Sequence, residues 1–146
     1  MVIGIIGESC VGKSTLAEVL KGKLGAELFT GKEYLRLAKS EGIAKKLFEK
    51  KLQEASSSDS HIIYVISEKE HLSLLPENTI RVLVTADLDT IKERFKQRMK
   101  GNLPAPVASM LERKHGDFDR EKHDIHVVSE RDDVDEICQQ VVNRIR

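Results

Sequence analysis

The sequence lacks the features that mark several specialised classes of protein. It has no tryptophan and only three prolines, and its 24 lysines and arginines balance 24 aspartates and glutamates. A net charge of zero creates no overall field that would attract nucleic acid or an anionic membrane. No apolar run approaches the roughly 20 residues of a membrane-spanning helix, and no signal-peptide pattern is present. We therefore expect neither a nucleic acid nor a membrane as a partner.

Cysteine and aromatic residues are also scarce. The two cysteines lie in different settings, since Cys10 belongs to a glycine-rich segment and Cys138 to the apolar stripe of a helix. Nothing in this pattern favours a disulfide, so we expect a reduced, cytoplasmic protein. With aromatic residues at 4%, the sequence gives no strong sign of a subunit interface and leaves the oligomeric state open. A length of 146 residues predicts a single domain.

One motif dominates what the sequence does contain. Residues 7–14 match the pattern G-x-x-x-x-G-K-[ST], the P-loop or Walker A motif; we call them the phosphate loop. The apolar run Val2–Ile6 precedes the loop and predicts a short buried strand, and a helical pattern follows it. Apolar residues on one face of that helix are Leu16, Val19, Leu20 and Leu24. Strand, glycine-rich loop and helix form the context in which such a match indicates a phosphate-binding site.

The residue types explain how this loop would hold a nucleotide. Gly7 and Gly12 allow backbone angles that a side chain forbids, so that successive N–H groups can point into one concavity. Lys13 should reach the β- and γ-phosphates, and the Ser14 hydroxyl should be a ligand of Mg²⁺. Glu8 is expected to be exposed. The predicted nucleotide-binding residues are Gly7, Glu8, Ser9, Cys10, Val11, Gly12, Lys13, Ser14 and Thr15.

Apolar strand-like runs alternate with helical patterns along the whole chain. This alternation favours a parallel sheet covered by helices on both faces. Between the strands, Ser67 and Glu70 resemble a capping box that opens a short helix, and Asp87 caps the next one. The strands are predicted at residues 2–6, 26–30, 61–66, 80–85 and 124–128. The sequence thus predicts an α/β protein, a three-layer α/β/α P-loop sandwich with a five-stranded parallel sheet, whose functional residues follow the strands.

Several short segments stand in a recognisable order along nearly the whole chain. They are residues 7–14, Thr30-Gly31 with Tyr34, residues 83–87, Arg113 with Asp117, and Asp124-Ile125. In this order they resemble the nucleoside monophosphate kinases, and within that group the chain is most similar to cytidylate-kinase-like proteins. The resemblance implies a sheet order of 2-3-1-4-5 and transfer of the γ-phosphoryl group of ATP, with Mg²⁺, to a small acceptor. It also implies an acceptor-binding segment at about residues 31–60 and a short lid at about residues 100–117.

Phosphoryl transfer needs positive charge aimed at the migrating group more than it needs a nucleophile on the protein. Besides Lys13, the candidates for this role are Arg98 and Arg113, with a solvated basic face as the alternative; Arg94 is interpreted as structural. A carboxylate near the Mg²⁺ normally follows the third strand, where Glu68 stands one residue late. Glu68 could hold a metal-bound water or accept the acceptor's proton, or it could merely favour the start of the next helix.

The acceptor pocket departs from the family pattern. After the second strand the family has Thr-Gly, two residues, an aromatic residue and then an arginine, whereas this chain has Leu35 at the arginine position. The resemblance carries over Gly31, Lys32, Tyr34 and Arg36 as candidate substrate contacts, with Arg36 displaced by one residue, or about 100° around a helix. Lys32 could supply the charge instead, and Tyr34 could stack on a base or pack in the core. The acceptor could thus be a nucleotide, a nucleoside or another small molecule.

Two functions therefore remain open. The first is an ATP-binding small-molecule kinase, and the second is a nucleotide-binding regulatory module with weak or no phosphotransfer. The missing acceptor arginine, the missing Walker B aspartate, and Pro104 and Pro106 in the lid favour the second. A small GTPase is disfavoured, because no Asn-Lys-x-Asp segment follows any predicted strand. His115, His123 and His126 are close in the sequence but lack a zinc-like arrangement with cysteines.

Overall fold

Five parallel strands form one sheet in the computed structural model, which describes residues 1–145. The strands are β1 (Val2–Ile6), β2 (Glu27–Thr30), β3 (Ile62–Ile66), β4 (Ile80–Thr85) and β5 (Ile125–Val128). Their order is β2-β3-β1-β4-β5, and each neighbouring pair is parallel. Both the fold class and the sheet order predicted above are confirmed.

Helices connect the strands and cover the sheet. Within residues 1–145 the α-helices are α1 (Lys13–Leu24), α2 (Glu41–Ser56), α3 (Leu88–Arg98), α4 (Ala105–Lys114) and α5 (Val134–Ile145). Two short 3₁₀ helices follow β2 and β3, at Glu33–Leu37 and Lys69–Leu74. None of the helices in this part of the chain has the length and apolarity needed to cross a membrane.

The sheet separates two hydrophobic cores. On β1, which is buried along its whole length, Ile3 and Ile5 face one core, whereas Val2 and Ile6 face the other, as the pleat of a strand requires. The first core includes buried residues of α1, α3, α4 and α5. The second includes buried residues of α2 and of both 3₁₀ helices. Because both faces are covered, β1 and β3 are continuous apolar runs without alternation.

Polar side chains determine where two of the helices begin. The Oγ atom of Ser40 accepts a hydrogen bond from the N–H of Ile43 at 3.5 Å, so α2 begins before the first apolar residue of its pattern. Asp87 Oδ1 accepts a hydrogen bond from the N–H of Thr90 at 2.8 Å. The cap predicted at Asp87 is therefore confirmed, and the same hydrogen bond holds the pKa of Asp87 below its ordinary value.

The capping box predicted at Ser67 and Glu70 is wrong. This segment forms the 3₁₀ helix Lys69–Leu74, and no side chain of the described residues caps its start. Leu74 is buried in the second core, and Pro76 follows two residues later. A helical segment this short between a strand and a proline favours the tighter 3₁₀ geometry, so core packing rather than a cap sets its path.

All strands end at one edge of the sheet because all of them are parallel. The segments that follow β1, β3, β4 and β5 begin at Gly7, Ser67, Ala86 and Ser129. In open sheets of this kind, ligands bind outside the carboxyl ends of the strands. The candidate functional residues are therefore sought at this edge.

Candidate active site

The backbone of the phosphate loop curls at the carboxyl end of β1. The N–H of Gly7 donates to the carbonyl of Ile66 at 3.1 Å and thereby anchors the loop to β3. Cys10 and Gly12 both have a left-handed backbone, with φ of 64° and 103°. Such turns direct successive N–H groups into one hollow, and α1 begins at Lys13, so its positive end points to the same place. This geometry fits an anionic polyphosphate.

Gly7 serves the loop in a different way from the one that the motif predicts. Its φ is not left-handed, in contrast to that of Gly12. A Cβ atom at position 7 would lie 2.4 Å from the carbonyl oxygen of Val84 and 3.0 Å from Cγ2 of Val11. Glycine is required here because the loop packs closely against β4. The prediction that both glycines supply unusual backbone angles is therefore correct for Gly12 and wrong for Gly7.

We expect Gly7→Ala to destabilise the protein by about 1–3 kcal/mol, the usual cost of overpacking. The clash is with backbone atoms of a central strand, which cannot turn aside. Gly22→Ala is the matched control, since a Cβ there meets nothing within 4 Å and glycine inside a helix costs about 0.5–1 kcal/mol relative to alanine. Chemical denaturation should thus show a lower free energy of unfolding for Gly7→Ala and a higher one for Gly22→Ala than for the wild type. Equal changes in the two variants would contradict this packing role.

Lys13 is the buried cation of the loop. The residue is 6% exposed, and its Nζ donates hydrogen bonds to the carbonyl of Gly7 at 2.6 Å and to the carbonyl of Glu8. The pKa of Lys13 is lowered to about 8, mainly by burial; the nearby charges of Cys10 and Glu8 act to raise it, and that of Arg98 acts to lower it. An ammonium group held by loop carbonyls can turn to phosphate oxygens, which are stronger acceptors.

We expect nucleotide binding to weaken as the pH rises above about 8, the pKa of Lys13. Below that pH, Lys13 is already protonated in the free protein. Above it, the free protein must take up a proton before the ammonium group can bind phosphate, so affinity falls. Calorimetry with ATP in buffers of different ionisation enthalpy should show uptake of about half a proton at pH 8 and far less near pH 7.

Lys13→Arg is the control for this pH dependence. A guanidinium group stays protonated throughout the range, so the affinity of this variant should not change between about pH 7 and 9. A wild-type affinity that is equally constant over the same range would show that Lys13 does not change its protonation on binding.

The loop also offers an oxygen ligand for Mg²⁺. Ser14 and Thr15 are exposed in the first turn of α1. Among residues 1–145, no three His, Cys, Asp or Glu side chains form a group that could hold a metal ion. Mg²⁺ at a phosphate loop does not need such a group, because it takes one or two protein oxygens and completes its shell with phosphate oxygens and water. The exposed Ser14 hydroxyl fits that donor set.

A cavity of about 420 Å³ lies on one side of the phosphate loop; we call it the side cavity. Arg94 Nη1 donates to the carbonyl of Cys10 at 3.1 Å, which supports the structural interpretation of Arg94. The structure also places Arg98 in this cavity, close enough for its charge to act on Lys13. The residues that line the side cavity are Cys10, Gly12, Thr15, Arg94, Arg98, Ser129 and Val134.

A second cavity of about 180 Å³ lies between the phosphate loop, the end of β3 and α4; we call it the front cleft. The carboxylate-bearing Glu68 and the cationic Lys69 and Lys114 line it together with apolar side chains. The structure therefore brings Glu68 to the loop, as the sequence predicted. The residues that line the front cleft are Glu8, Ser9, Ser67, Glu68, Lys69, Met110, Leu111, Lys114, Asp117 and Phe118.

The cationic residue of α4 that lines the front cleft is not the one that the sequence predicts. Arg113 is not among the residues that line the cleft or the side cavity, and its Nε donates to the carbonyl of Ser109 on its own helix at 3.4 Å. Lys114 reaches the cleft instead. Adjacent residues of a helix point about 100° apart, and the sequence carries no signal that would favour Lys114 over Arg113.

Tyr34 lies in the core and not in the front cleft. It is 5% exposed, and its ring stacks on that of Phe48 with the centroids 5.2 Å apart. Of the two alternatives that the sequence left open for Tyr34, this geometry favours core packing. The physical reason is the 3₁₀ helix Glu33–Leu37, which turns this side chain towards α2.

The other candidate substrate residues after β2 also lie outside the front cleft. Arg36 pairs with Glu27 at 3.8 Å and with Glu33 at 3.7 Å, as a solvated basic residue would. Gly31 accepts a hydrogen bond at its carbonyl from the hydroxyl of Tyr64, and Lys32 is exposed. The front cleft is built from the segments after β3 and around α4, and not from residues 31–36.

The prediction that Glu8 is exposed is wrong. Its side chain is 11% exposed, and its carboxylate accepts a hydrogen bond from the N–H of Gly116 at 2.9 Å. The other carboxylate oxygen lies 3.2 Å from Nδ1 of His115. Glu8 therefore joins the phosphate loop to the segment directly after α4, a contact that the spacing of the sequence could not indicate.

A parallel sheet of order 2-3-1-4-5 with a phosphate loop after its first strand is the fold of the P-loop kinases. The chain is similar to the tunicamycin resistance protein of Deinococcus radiodurans, with 20% identity, a TM-score of 0.66, and coverage of 99% of this chain and 94% of that one. Shikimate kinase from Acinetobacter baumannii is 16% identical to the chain, with a TM-score of 0.65 and coverage of 99% of this chain and 92% of that one. A gluconokinase from Sinorhizobium meliloti is 17% identical, with a TM-score of 0.61 and coverage of 97% of this chain and 89% of that one.

These similarities establish the fold. No family model matches the chain, and no curated protein matches it either. The finer resemblance to cytidylate-kinase-like proteins stays a prediction.

Proposed function

We propose that this protein is a kinase that transfers the γ-phosphoryl group of ATP, with Mg²⁺, to a hydroxyl group of a small acceptor. The front cleft carries the proposal, because it adjoins the phosphate loop and combines the carboxylate of Glu68 with the ammonium groups of Lys69 and Lys114. A module that only binds a nucleotide has no need of a second charged cleft beside the phosphates. We place the protein in the cytoplasm as a single domain.

The phosphate loop binds the nucleotide. Its backbone N–H groups and Lys13 hold the phosphates, and Ser14 supplies a hydroxyl oxygen to Mg²⁺. Arg98 adds positive charge from the side cavity, close to Lys13. When bound, ATP with its metal ion supplies the phosphoryl group, and the chain contributes alignment and positive charge.

Glu68 and the two lysines of the front cleft act on the acceptor. The Glu68 carboxylate accepts a hydrogen bond from the attacking hydroxyl group, orients it, and takes its proton as the new O–P bond forms and the bond between the γ-phosphorus and ADP breaks. Lys114 and Lys69 add positive charge to the lining of the front cleft, beside the phosphate loop. Charge in that position stabilises the negative charge that spreads over the transferred phosphoryl oxygens.

The acceptor is a small molecule rather than a nucleotide in this proposal. Arg36 is engaged by Glu27 and Glu33, and Tyr34 is buried, so neither is free to hold a nucleoside monophosphate. The front cleft, at about 180 Å³, is also smaller than the roughly 300–1,000 Å³ of pockets for drug-sized ligands. The names of two similar structures, a shikimate kinase and a gluconokinase, agree with an acceptor of modest size that carries several hydroxyl groups.

The experiment that tests this function measures ADP release from ATP and Mg²⁺ in the presence of a panel of acceptors. The panel contains polyols, sugar acids and cyclic hydroxy acids, together with nucleosides and nucleoside monophosphates. Stimulation by a small hydroxylated molecule supports the proposal. If only nucleoside monophosphates stimulate ADP release, the acceptor is a nucleotide. If no member of the panel stimulates it, the proposal that the protein is a kinase is wrong.

A nucleotide-binding regulatory module with weak or no phosphotransfer is the second candidate. The observation that favours it is the segment at about residues 100–117, proposed above as a lid. Pro104 stands at the start of α4 and fixes the backbone there, and Arg113 does not line the front cleft. A stiff segment with one lysine in the cleft offers less charge than catalysis commonly uses. The acceptor panel distinguishes the two candidates.

A further inference from the structure

A carboxylate inside the phosphate loop is bonded to the segment that follows α4. Glu8 accepts a hydrogen bond from the N–H of Gly116 at 2.9 Å and lies 3.2 Å from Nδ1 of His115. These partners stand 108 and 107 residues further along the chain. The Glu8 side chain is 11% exposed and that of His115 is 36% exposed, so the hydrogen bond to Gly116 is the more shielded of the two contacts, and shielding strengthens a charged hydrogen bond.

The negative charge of Glu8 opposes the binding of an anionic ligand to the same loop. Its backbone carbonyl accepts a hydrogen bond from Lys13, but a residue of any type could supply that carbonyl. The phosphate chemistry of the loop therefore gives no reason for a carboxylate at this position. The reason must lie in what the side chain contacts.

The Glu8 contact joins the phosphate loop to the residues directly after α4. Lys114 is the last residue of α4, and Gly116, with φ of 84°, stands two residues later. Glu8 and Lys114 both line the front cleft, whereas Glu8 and His115 both line another cavity of about 430 Å³. The contact thus lies between the two cavities, with Lys114 on the side of the front cleft.

We propose that Glu8 is a positioning residue whose carboxylate fixes the end of α4 to the phosphate loop and thereby holds Lys114 in the front cleft. The kinetic consequence rests on the proposed function, whereas the contact itself does not. Leu111 and Phe118 are buried on either side of this contact, so α4 stays packed without the carboxylate, but the segment between them loses its bond to the loop and Lys114 is no longer held in one position in the cleft. The nucleotide still binds, because the loop keeps its N–H groups and Lys13.

A comparison of Glu8→Ala with Glu8→Gln separates the effect of losing the hydrogen bond to Gly116 from the effect of losing the negative charge. Glutamine loses the charge but keeps a carbonyl oxygen that can accept the hydrogen bond of Gly116, whereas alanine loses both. In the nucleotide-free protein, NMR should show exchange of the Gly116 amide accelerated roughly tenfold or more in Glu8→Ala and close to wild type in Glu8→Gln. Because the charge of Glu8 raises the pKa of Lys13, affinity for ATP is measured at about pH 7, where it should not fall in either variant. The control is Glu18→Ala, which removes an exposed carboxylate from α1 and should leave Gly116 unchanged.

The kinetic test uses an acceptor found with the panel and a double-mutant cycle. Glu8→Ala and Lys114→Ala should each lower kcat/KM for the acceptor by roughly tenfold, and the double variant should be no worse than either one, because both act through Lys114. Glu8→Gln should retain most of the activity.

Two results would overturn the inference: unchanged exchange of the Gly116 amide in Glu8→Ala, or independent, additive losses in the cycle. If the wild-type protein transfers phosphate to no acceptor, the proposed function fails. Amide exchange then still decides whether Glu8 holds the segment after α4.

Discussion

Lys13→Ala is expected to abolish phosphotransfer and to weaken ATP binding at least ~30-fold. Truncating one partner of a buried, hydrogen-bonded charge pair costs roughly 2–5 kcal/mol, and Lys13 is the buried cation that faces the phosphates, at 6% exposure. The loss should appear in both the affinity and the rate, since the same ammonium group holds the nucleotide before and during transfer. Calorimetry measures the affinity for ATP, and ADP release measures the rate of phosphotransfer.

Lys13→Ala also removes hydrogen bonds to the carbonyls of Gly7 and Glu8, so the integrity of the fold has to be measured alongside. Circular dichroism and thermal unfolding of the variant serve that purpose. Lys21→Ala is the matched control, because Lys21 is an exposed lysine of the same helix and should affect neither quantity. Retained turnover in Lys13→Ala would place the active site elsewhere.

Glu68→Gln is expected to lower kcat by roughly 10²–10⁴ while the affinity for ATP stays the same. That factor is the usual contribution of a positioned general base, and glutamine keeps the size of the side chain but cannot take the proton. Glu68 lines the front cleft and is exposed to it, so the substitution disturbs no packing. Steady-state kinetics with the best acceptor of the panel measures the effect.

Glu77→Gln is the control for Glu68→Gln. Glu77 is an exposed carboxylate in the turn before β4, at the opposite edge of the sheet from the phosphate loop. Wild-type kcat is expected for this variant. If Glu68→Gln were as active as Glu77→Gln, the acceptor's proton would have to leave by another route, and Glu68 would keep at most a role in the start of its 3₁₀ helix.

The sheet and the phosphate loop could be predicted from the sequence because both depend on local patterns. Two of the central strands, Val2–Ile6 and Ile62–Ile66, are short apolar runs that are followed by a glycine or a polar residue. The loop is a contiguous motif whose backbone is set by its own residues and by the start of α1. The apolar pattern of a strand and the motif of the loop each span only a few neighbouring residues, so both can be recognised in the sequence.

The residues that line the cavities could not be predicted, because they depend on side-chain directions and on contacts between residues that are far apart in the sequence. Arg113 and Lys114 are neighbours in the sequence, yet only Lys114 lines the front cleft. Arg94 reaches the carbonyl of Cys10 across 84 positions, and Glu8 reaches Gly116 across 108. No periodicity or spacing reports such pairs.

The resemblance predicts an acceptor site in the segment after β2, and this stays a prediction. Of its candidate residues, Tyr34 is turned onto Phe48 by the 3₁₀ helix Glu33–Leu37. The front cleft lies elsewhere, between the segment after β3 and α4. Residues 67–69 and 110–118 are far apart in the sequence, and only the fold brings them together.

The central place of β1 has a consequence for how the protein is made. Synthesis proceeds towards the carboxyl terminus, so Val2–Ile6 is made well before the two strands that flank it, Ile62–Ile66 and Ile80–Thr85. The hydrogen bond from Gly7 to Ile66 and the packing of Gly7 on Val84 cannot form before those strands emerge. The nascent chain should therefore remain unable to recognise polyphosphates until β4 has been made.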